Sequence, residues 1–186
     1  YEATDQDLDS LTWSLKTNAT FLSINPFSGN LTGTPTNTHA AKTFWVNVTV
    51  SDGIGGWDWT NFTLSVTNTN DPPVITTGDI TSATEDIFYS RDYYATDPDP
   101  TSDTLTWSLK TNASWLSLTT TTGILSGTPI NTYAAKTFWV NVSVSDGKGG
   151  KAWHNFTLYV TNTNDPPSIS TSDLTTATED SLYSRD

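Results

Sequence analysis

Phe138, Val140, Val142 and Val144 alternate with Trp139, Asn141 and Ser143. A period of two over that length predicts a strand with one face in a core and the other outward. Ser145–Gly150 (SDGKGG) follows, a glycine-rich turn that admits positive φ. Phe156, Leu158 and Val160 then alternate with Asn155, Thr157 and Tyr159, completing a hairpin. Shorter strands are predicted over Leu105–Leu109, Trp115–Leu118, Ile124–Ser126, Phe88–Ala95 and Val74–Thr84, separated by Thr, Gly and Pro. No window carries a helical apolar period of useful length. Strands of this number with turn signals between them predict an all-β Greek-key sandwich. Its expected core is Leu105, Trp107, Leu116, Leu125, Phe138, Val140, Val142, Phe156 and Leu158.

The pattern occurs twice. Displaced by 94 residues, Leu11–Asp92 lies on Leu105–Asp186 with 58 of 82 positions identical. That period matches one sandwich domain of about 100 residues rather than a short solenoid repeat. The expected division is an Ig-like repeat over 1–72 lacking its first strands, a complete repeat over 73–165, and the first strands of a further repeat over 166–186. The chain closes on Ser184–Asp186 (SRD) and opens on Tyr1–Asp7 (YEATDQD), so joining the two regenerates the internal Ser90–Asp99 stretch, SRDYYATDPD. Pro166–Asp186 is therefore expected to complete the first domain of the next unit, standing apart from its own, with Asp186 beside a neighbouring Tyr1. A covalent tandem array is preferred here over strand donation between separate subunits. TNTNDPP joins the domains at Thr67–Pro73 and recurs at Thr161–Pro167; its two prolines fix φ and remove donors, which stiffens the linker.

Charge narrows the partners. Twenty acidic residues face 8 basic ones, a net of −12. That balance argues against nucleic acid and anionic membranes, which need a basic footprint, and favours bound cations. No cysteine is present, so disulfides and thiolate metal sites are excluded. No stretch approaches the roughly 18 apolar residues of a membrane span.

The motifs LTWSL (Leu105–Leu109), TGILSGTP (Thr122–Pro129), VSDGKGG (Val144–Gly150), NDPP (Asn164–Pro167), ATED (Ala83–Asp86) and ATDPD (Ala95–Asp99) resemble the cadherin-like, immunoglobulin-like tandem repeats of archaeal and bacterial surface proteins. The resemblance implies an extracellular or cell-surface location and a structural or adhesive role. Such repeats build stalks, adhesins and sheaths, and also serve as spacers in large secreted enzymes. Cadherins proper hold calcium at domain junctions through Glu, DxD and DxNDN motifs. The TNTND linker carries fewer acids and no DRE motif is present, which departs from a full multi-calcium junction.

Calcium takes 6–8 oxygen ligands. On this topology Asp97 and Asp99 share an end of the sandwich with Asp146 and with the preceding linker's Asn70 and Asp71. The opposite end brings Glu85 and Asp86 toward Asn164 and Asp165, and domain one offers Asp5, Asp7 and Asp52 in equivalent loops. Turn-capping by loop acids would place the same residues there without a metal. N-x-S/T sequons, candidates for N-linked glycans, stand at Asn18, Asn30, Asn47, Asn61, Asn112, Asn141 and Asn155. Asn47, Asn61, Asn141 and Asn155 share outward parity with Trp45, Trp59, Trp139 and Trp153, whose rings could carry stacked sugars or pair across strands. His39 and His154 lie in no nucleophilic or metal-ligand pattern, so catalysis is not expected. The expected function is a structural repeat of an extracellular filament, stalk or sheath, glycosylated and calcium-rigidified, packing head-to-tail against copies of itself. An adhesin or cell-surface carbohydrate-binding repeat, or a spacer in a secreted enzyme, is the alternative.

Overall fold

The computed structural model describes residues 1–100 and 103–184. Among these, every regular element is a strand apart from two three-residue 3-10 turns, Asn37–His39 and Asn131–Tyr133. The first half of the chain forms β1 (Thr12–Thr17), β2 (Leu22–Ile24), β3 (Leu31–Gly33), β4 (Thr43–Ser51) and β5 (Trp57–Ser65). The second forms β6 (Val74–Ile75), β7 (Ser82–Thr84), β8 (Tyr89–Asp92), β9 (Ala95–Thr96), β10 (Thr106–Thr111), β11 (Ser117–Leu118), β12 (Ile124–Gly127), β13 (Thr137–Ser145) and β14 (Lys151–Thr161).

In the second domain one sheet has the order β10-β13-β14-β7 and the facing sheet β11-β12-β8, with β6 and β9 as a separate pair. The β13–β14 hairpin is antiparallel, with Asn141 opposite Asn155, whereas β7 adds in parallel, with Ala83 opposite Val160. Two expected strands are each broken in two. Val74–Thr84 divides into β6 and β7 because its first part pairs with β9 and its second crosses to β14. Phe88–Ala95 divides likewise, β8 pairing with β12 and β9 with β6. A segment that changes sheets cannot keep one continuous ladder.

The alternation along β13 points Phe138, Val140, Val142 and Val144 inward, where they meet Trp107, Leu116, Leu125 and Leu158 in one core. Leu105 and Phe156 are only half-buried at its margin. Gly123 is demanded by its surroundings: its φ is 75°, and a Cβ there would meet the Trp107 ring at 2.8 Å.

Domain one repeats the β10-β13-β14 layer as β1-β4-β5 and the β11-β12 pair as β2-β3. The places that β7 and β8 take in domain two have no occupant among the described residues of domain one. A cleft of about 690 Å³ opens there between the sheets, lined by Phe21, Leu31, Phe62, Leu64 and Val66 among others. Leu31, Leu64 and Val66 are half-buried, whereas their counterparts Leu125, Leu158 and Val160 are 0% exposed. Residues 164–184 are exposed throughout, so the tail stands off from its own first domain. Asp186 lies outside the described residues.

Candidate metal centre at the domain junction

The β9–β10 loop meets the linker through its acids. Asp99 takes Asn68 Nδ2 on Oδ1 (3.0 Å) and the Asp71 backbone N–H on Oδ2 (3.0 Å). Asp97 Oδ1 accepts from the Asp99 N–H at 3.0 Å, an Asx-turn that points the second oxygen inward. That oxygen, Oδ2, is buried without a hydrogen-bond partner. Asp97, Asp99 and Asp103 each bring a carboxylate oxygen within 4.8 Å of the others. Each such pair repels by roughly 3 kcal/mol at an effective dielectric near 20. Lys148 offsets part of this through an ion pair to Asp103 at 2.5 Å. Clustered carboxylates, one with an orphaned oxygen, fit the oxygen-rich shell of calcium.

Asp146 stands beside this group rather than in it. Its Oδ1 caps its own hairpin turn through the N–H groups of Lys148 (2.7 Å) and Gly150 (3.0 Å), and Oδ2 accepts Asn70 Nδ2 at 2.8 Å. The Asn70 hydrogen bond, followed by those backbone donors, holds its carboxyl below the usual carboxylate range against the opposing effect of burial. Asp71 Oδ2 accepts Asn37 Nδ2 from domain one at 2.7 Å. The linker is thus strapped to domain two through Asn68, Asn70 and Asp71, and to domain one through Asp71.

At the other end Glu85, Asp86 and Asp165 converge within the same distance, 4.8 Å. Glu85 is 1% exposed and accepts the Thr163 N–H on Oε2 at 3.1 Å. Asp86 occupies the left-handed region, φ 59°, and its N–H donates to the Pro129 carbonyl at 2.8 Å. Asp165 accepts Asn131 Nδ2 at 2.6 Å, repeating the Asn37–Asp71 contact one domain later. Asn164 is exposed and takes no part in this group. In domain one Asp5 and Asp7 converge with Asp9, while Asp52 caps its own turn through the N–H groups of Ile54, Gly55 and Gly56. Sequence reasoning missed Asp103, Asp9 and Asn68. A signal for the two acids existed: Asp9 and Asp103 hold the same repeat position, two residues before LTW.

Trp45, Trp59, Trp139 and Trp153 lie on the outward face, each about half exposed. Between them Asn47 Nδ2 donates to Asn61 Oδ1 (2.5 Å) and Asn141 Nδ2 to Asn155 Oδ1 (2.6 Å). Asn61 and Asn155 are exposed, and Asn47 and Asn141 half-buried. Exposed Asn18 and Asn112 spend Oδ1 on the Trp45 and Trp139 N–H groups at 2.9 Å each, and Asn30 is exposed beside β3. The histidines brace the fold. His39 packs its ring 4.8 Å from Phe21, and His154 Nδ1 lies 3.1 Å from Asp79 Oδ1. The Tyr93 hydroxyl donates to the same Asp79 oxygen at 2.7 Å, and burial, then Asp79, pushes its ionisation far upward.

The family described as Bacterial Ig domain matches residues 70–159, and the one described as "Putative Ig domain" matches residues 1–67. No curated protein matches the chain. Human protocadherin-24 EC1-2 is similar at 19% identity and TM-score 0.53, over 87% of each chain. Mouse cadherin-23 EC22-24 is similar at 20% identity and TM-score 0.54, over 83% of this chain and 53% of that one. An endo-fucoidan hydrolase of glycoside hydrolase family 107 shares 25% identity at TM-score 0.42, and the chain spans 24% of that enzyme's length. The architecture is a tandem of Ig-like, cadherin-like domains of the kind typical of bacterial surface proteins, and its location is extracellular or at the cell surface. Among the described residues no helix is long and apolar enough to cross a membrane.

Proposed function

We propose that the chain is a non-catalytic adhesive or spacer segment at the cell surface, its domain junction stiffened by calcium. The observation that carries this reading is the orphaned Asp97 Oδ2, set among Asp99 and Asp103 at the point where the linker is strapped down. The residues that would hold the ion are Asp97, Asp99 and Asp103, with Asp71 adjacent; it would offset their mutual repulsion and couple linker to domain. Glu85, Asp86 and Asp165 would do the same at the following junction. The acids sit on loops, and both histidines are engaged in packing or bracing, which supports a role without chemistry. The outward Trp–Asn face supports contact with surface carbohydrate or an N-linked glycan on the chain itself. The test is calcium titration followed by small-angle scattering and calorimetry. The chain should stiffen and domain two should melt higher with calcium, and Asp97→Asn with Asp99→Asn should abolish both changes. Indifference of scattering and melting to calcium and EDTA would end the calcium reading.

A further inference from the structure

Each domain turns one sheet face outward, and the same four side chains stand on it. In domain two, β13 carries Trp139 two residues before Asn141, and β14 carries Trp153 two residues before Asn155. Antiparallel register sets Asn141 opposite Asn155, Trp139 opposite Thr157 and Trp153 opposite Ser143. The two rings therefore flank the Asn pair on a diagonal, one at each side. Domain one repeats the arrangement with Trp45, Asn47, Trp59 and Asn61. The aligned repeats (Leu11–Pro72 on Leu105–Pro166) differ at 17 of 62 positions but at none of these four, whereas the Asn30 sequon gives way to Ile124. The rings are 49–59% exposed, a recurring apolar surface that calls for something to cover it.

Hydrogen bonding makes the two amides of each pair unlike. Asn141 and Asn47 spend Nδ2 on the Oδ1 of Asn155 and Asn61. Thr49 Oγ1 also donates to Asn47 Oδ1 at 3.1 Å, so Asn47 is engaged at both ends. The hydroxyl of Ser143, the last residue of the Asn141 sequon, shares a hydrogen bond with that of Ser108 at 2.7 Å. The sequons on β4 and β13 thus give their polar atoms to the sheet. Asn61 and Asn155 are exposed and use only Oδ1. Among the described residues, their nitrogens and the hydroxyls of Thr63 and Thr157 have no partner.

We infer that Asn61 and Asn155 are the N-glycosylated members of their pairs, and that the flanking Trp rings seat the first sugars of the glycan. The inference deepens the reading of this face as one that meets carbohydrate, and rests on it. The donor is a sugar activated as a phosphate ester. The amide nitrogen bonds to its anomeric carbon, the bond from that carbon to the phosphate oxygen breaks, and the nitrogen loses one proton. Modified Asn155 keeps its Oδ1 and still accepts from Asn141. The same step at Asn141 would put a sugar where the Asn155 carbonyl stands, 2.6 Å away, and part the two amides. Two glycans on one pair are excluded for the same reason. A mid-strand amide is closed to an enzyme once its ladder has formed, so attachment precedes folding and the fold acts as the filter. Chains modified on β5 or β14 keep the cross-strand amide bond, and chains modified on β4 or β13 lose it.

The rings lie within reach. From Asn155, Trp153 is two residues along the strand, about 7 Å away, and Trp139 is the diagonal neighbour, about 7–8 Å away. A pyranose has a face of C–H groups that packs on an aromatic ring while its hydroxyls stay in water. In domain one the face holds an open hollow of about 610 Å³, lined in part by Trp45, Asn47, Asn61 and Lys16, whose ammonium is a donor for sugar hydroxyls.

The test is site occupancy. The full chain is secreted from a host that glycosylates N-x-S/T sequons, and folded material is mapped by glycopeptide mass spectrometry. Asn61 and Asn155 should be occupied, and Asn47 and Asn141 bare. Thr157→Val, which removes the Asn155 sequon at an exposed position, should delete the strand glycan of domain two, and Ser143→Ala should leave it in place. Hydroxyl-radical footprinting should oxidise Trp139 and Trp153 about two-fold more slowly in the glycosylated chain than in Thr157→Val, one ring face being covered. Occupancy of Asn47 or Asn141 in folded material, two glycans on one pair, strand sequons bare throughout, or oxidation indifferent to the glycan overturns the inference. Adding the released host glycan to unglycosylated chain separates this failure from that of the broader reading. If free glycan protects the rings of a chain that carries none, the covalent inference falls and the face remains a carbohydrate site. If the chain neither carries nor binds sugar, both fall, and the calcium junction is still judged by its own melt in EDTA.

Discussion

Domain one and domain two share 45 of 62 aligned residues (Leu11–Pro72 on Leu105–Pro166), yet one is open and the other sealed. Leu64 and Leu158 occupy the same repeat position on equivalent strands, but Leu158 is 0% exposed and Leu64 only half-buried. The difference lies in who covers them. β7 and β8 close domain two, and no described residue does so for domain one. Sequence identity therefore specifies the strands of a β-sandwich without specifying its stability, because a layer becomes a core only when the facing layer arrives.

The comparison breaks most sharply by truncating the paired leucines. Leu158→Ala should cost domain two about 2–5 kcal/mol, as expected for a fully packed site. Leu64→Ala should cost domain one less than half as much, as read by hydrogen exchange of each domain. Equal losses would mean that the seam is filled in solution. Calcium comes next. At a concentration 100 times its dissociation constant it should stabilise domain two by about 2.7 kcal/mol, an increment removed by EDTA and by Asp97→Asn, while domain one responds less for want of a buried Glu85.

A smaller effect appears in acid. The Asp146 carboxyl is held low in the folded state, chiefly by Asn70, so its contribution is present above the ordinary carboxylate range and is lost as pH falls through the depressed value. Thermal melts of domain two from pH 6 to about pH 2 should drop less steeply in Asn70→Ala than in the natural chain. In alkali the sign reverses: burial raises Tyr89 to about 12, so its stabilisation is complete below the free-tyrosine value near 10 and fades as pH rises through 12. Tyr89→Phe should flatten that limb in a pH-dependent melt.

The core of domain two was legible because alternation is a local signal. Phe138, Val140 and Val142 need only their own strand to declare which way they face. The broken strands were not legible, since Val74–Thr84 changes partner from β9 to β14 and no local pattern encodes a partner. For the acids, the repeat placed Asp97 with Asp99 and Glu85 with Asp86 and Asp165. It did not separate acids that converge from Asp52 and Asp146, which fold back onto their own turns. That distinction depends on a few torsions at glycine-rich hairpins. Asp103 was overlooked because it stands apart from any motif, though its repetition at Asp9 marks it.

The parallel docking of β7 against β14 has a mechanical meaning. Tension along the chain enters domain two through the linker before β6 and leaves through the end of β14. Because β7 and β14 run the same way, pulling drives them past one another and loads the Tyr159–Thr81 and Glu85–Thr161 bonds together in shear. An antiparallel closing strand would instead unzip one bond at a time. Resistance to force follows the unfolding rate rather than the equilibrium stability, so this short strand of three residues sets the strength of the domain as a tether.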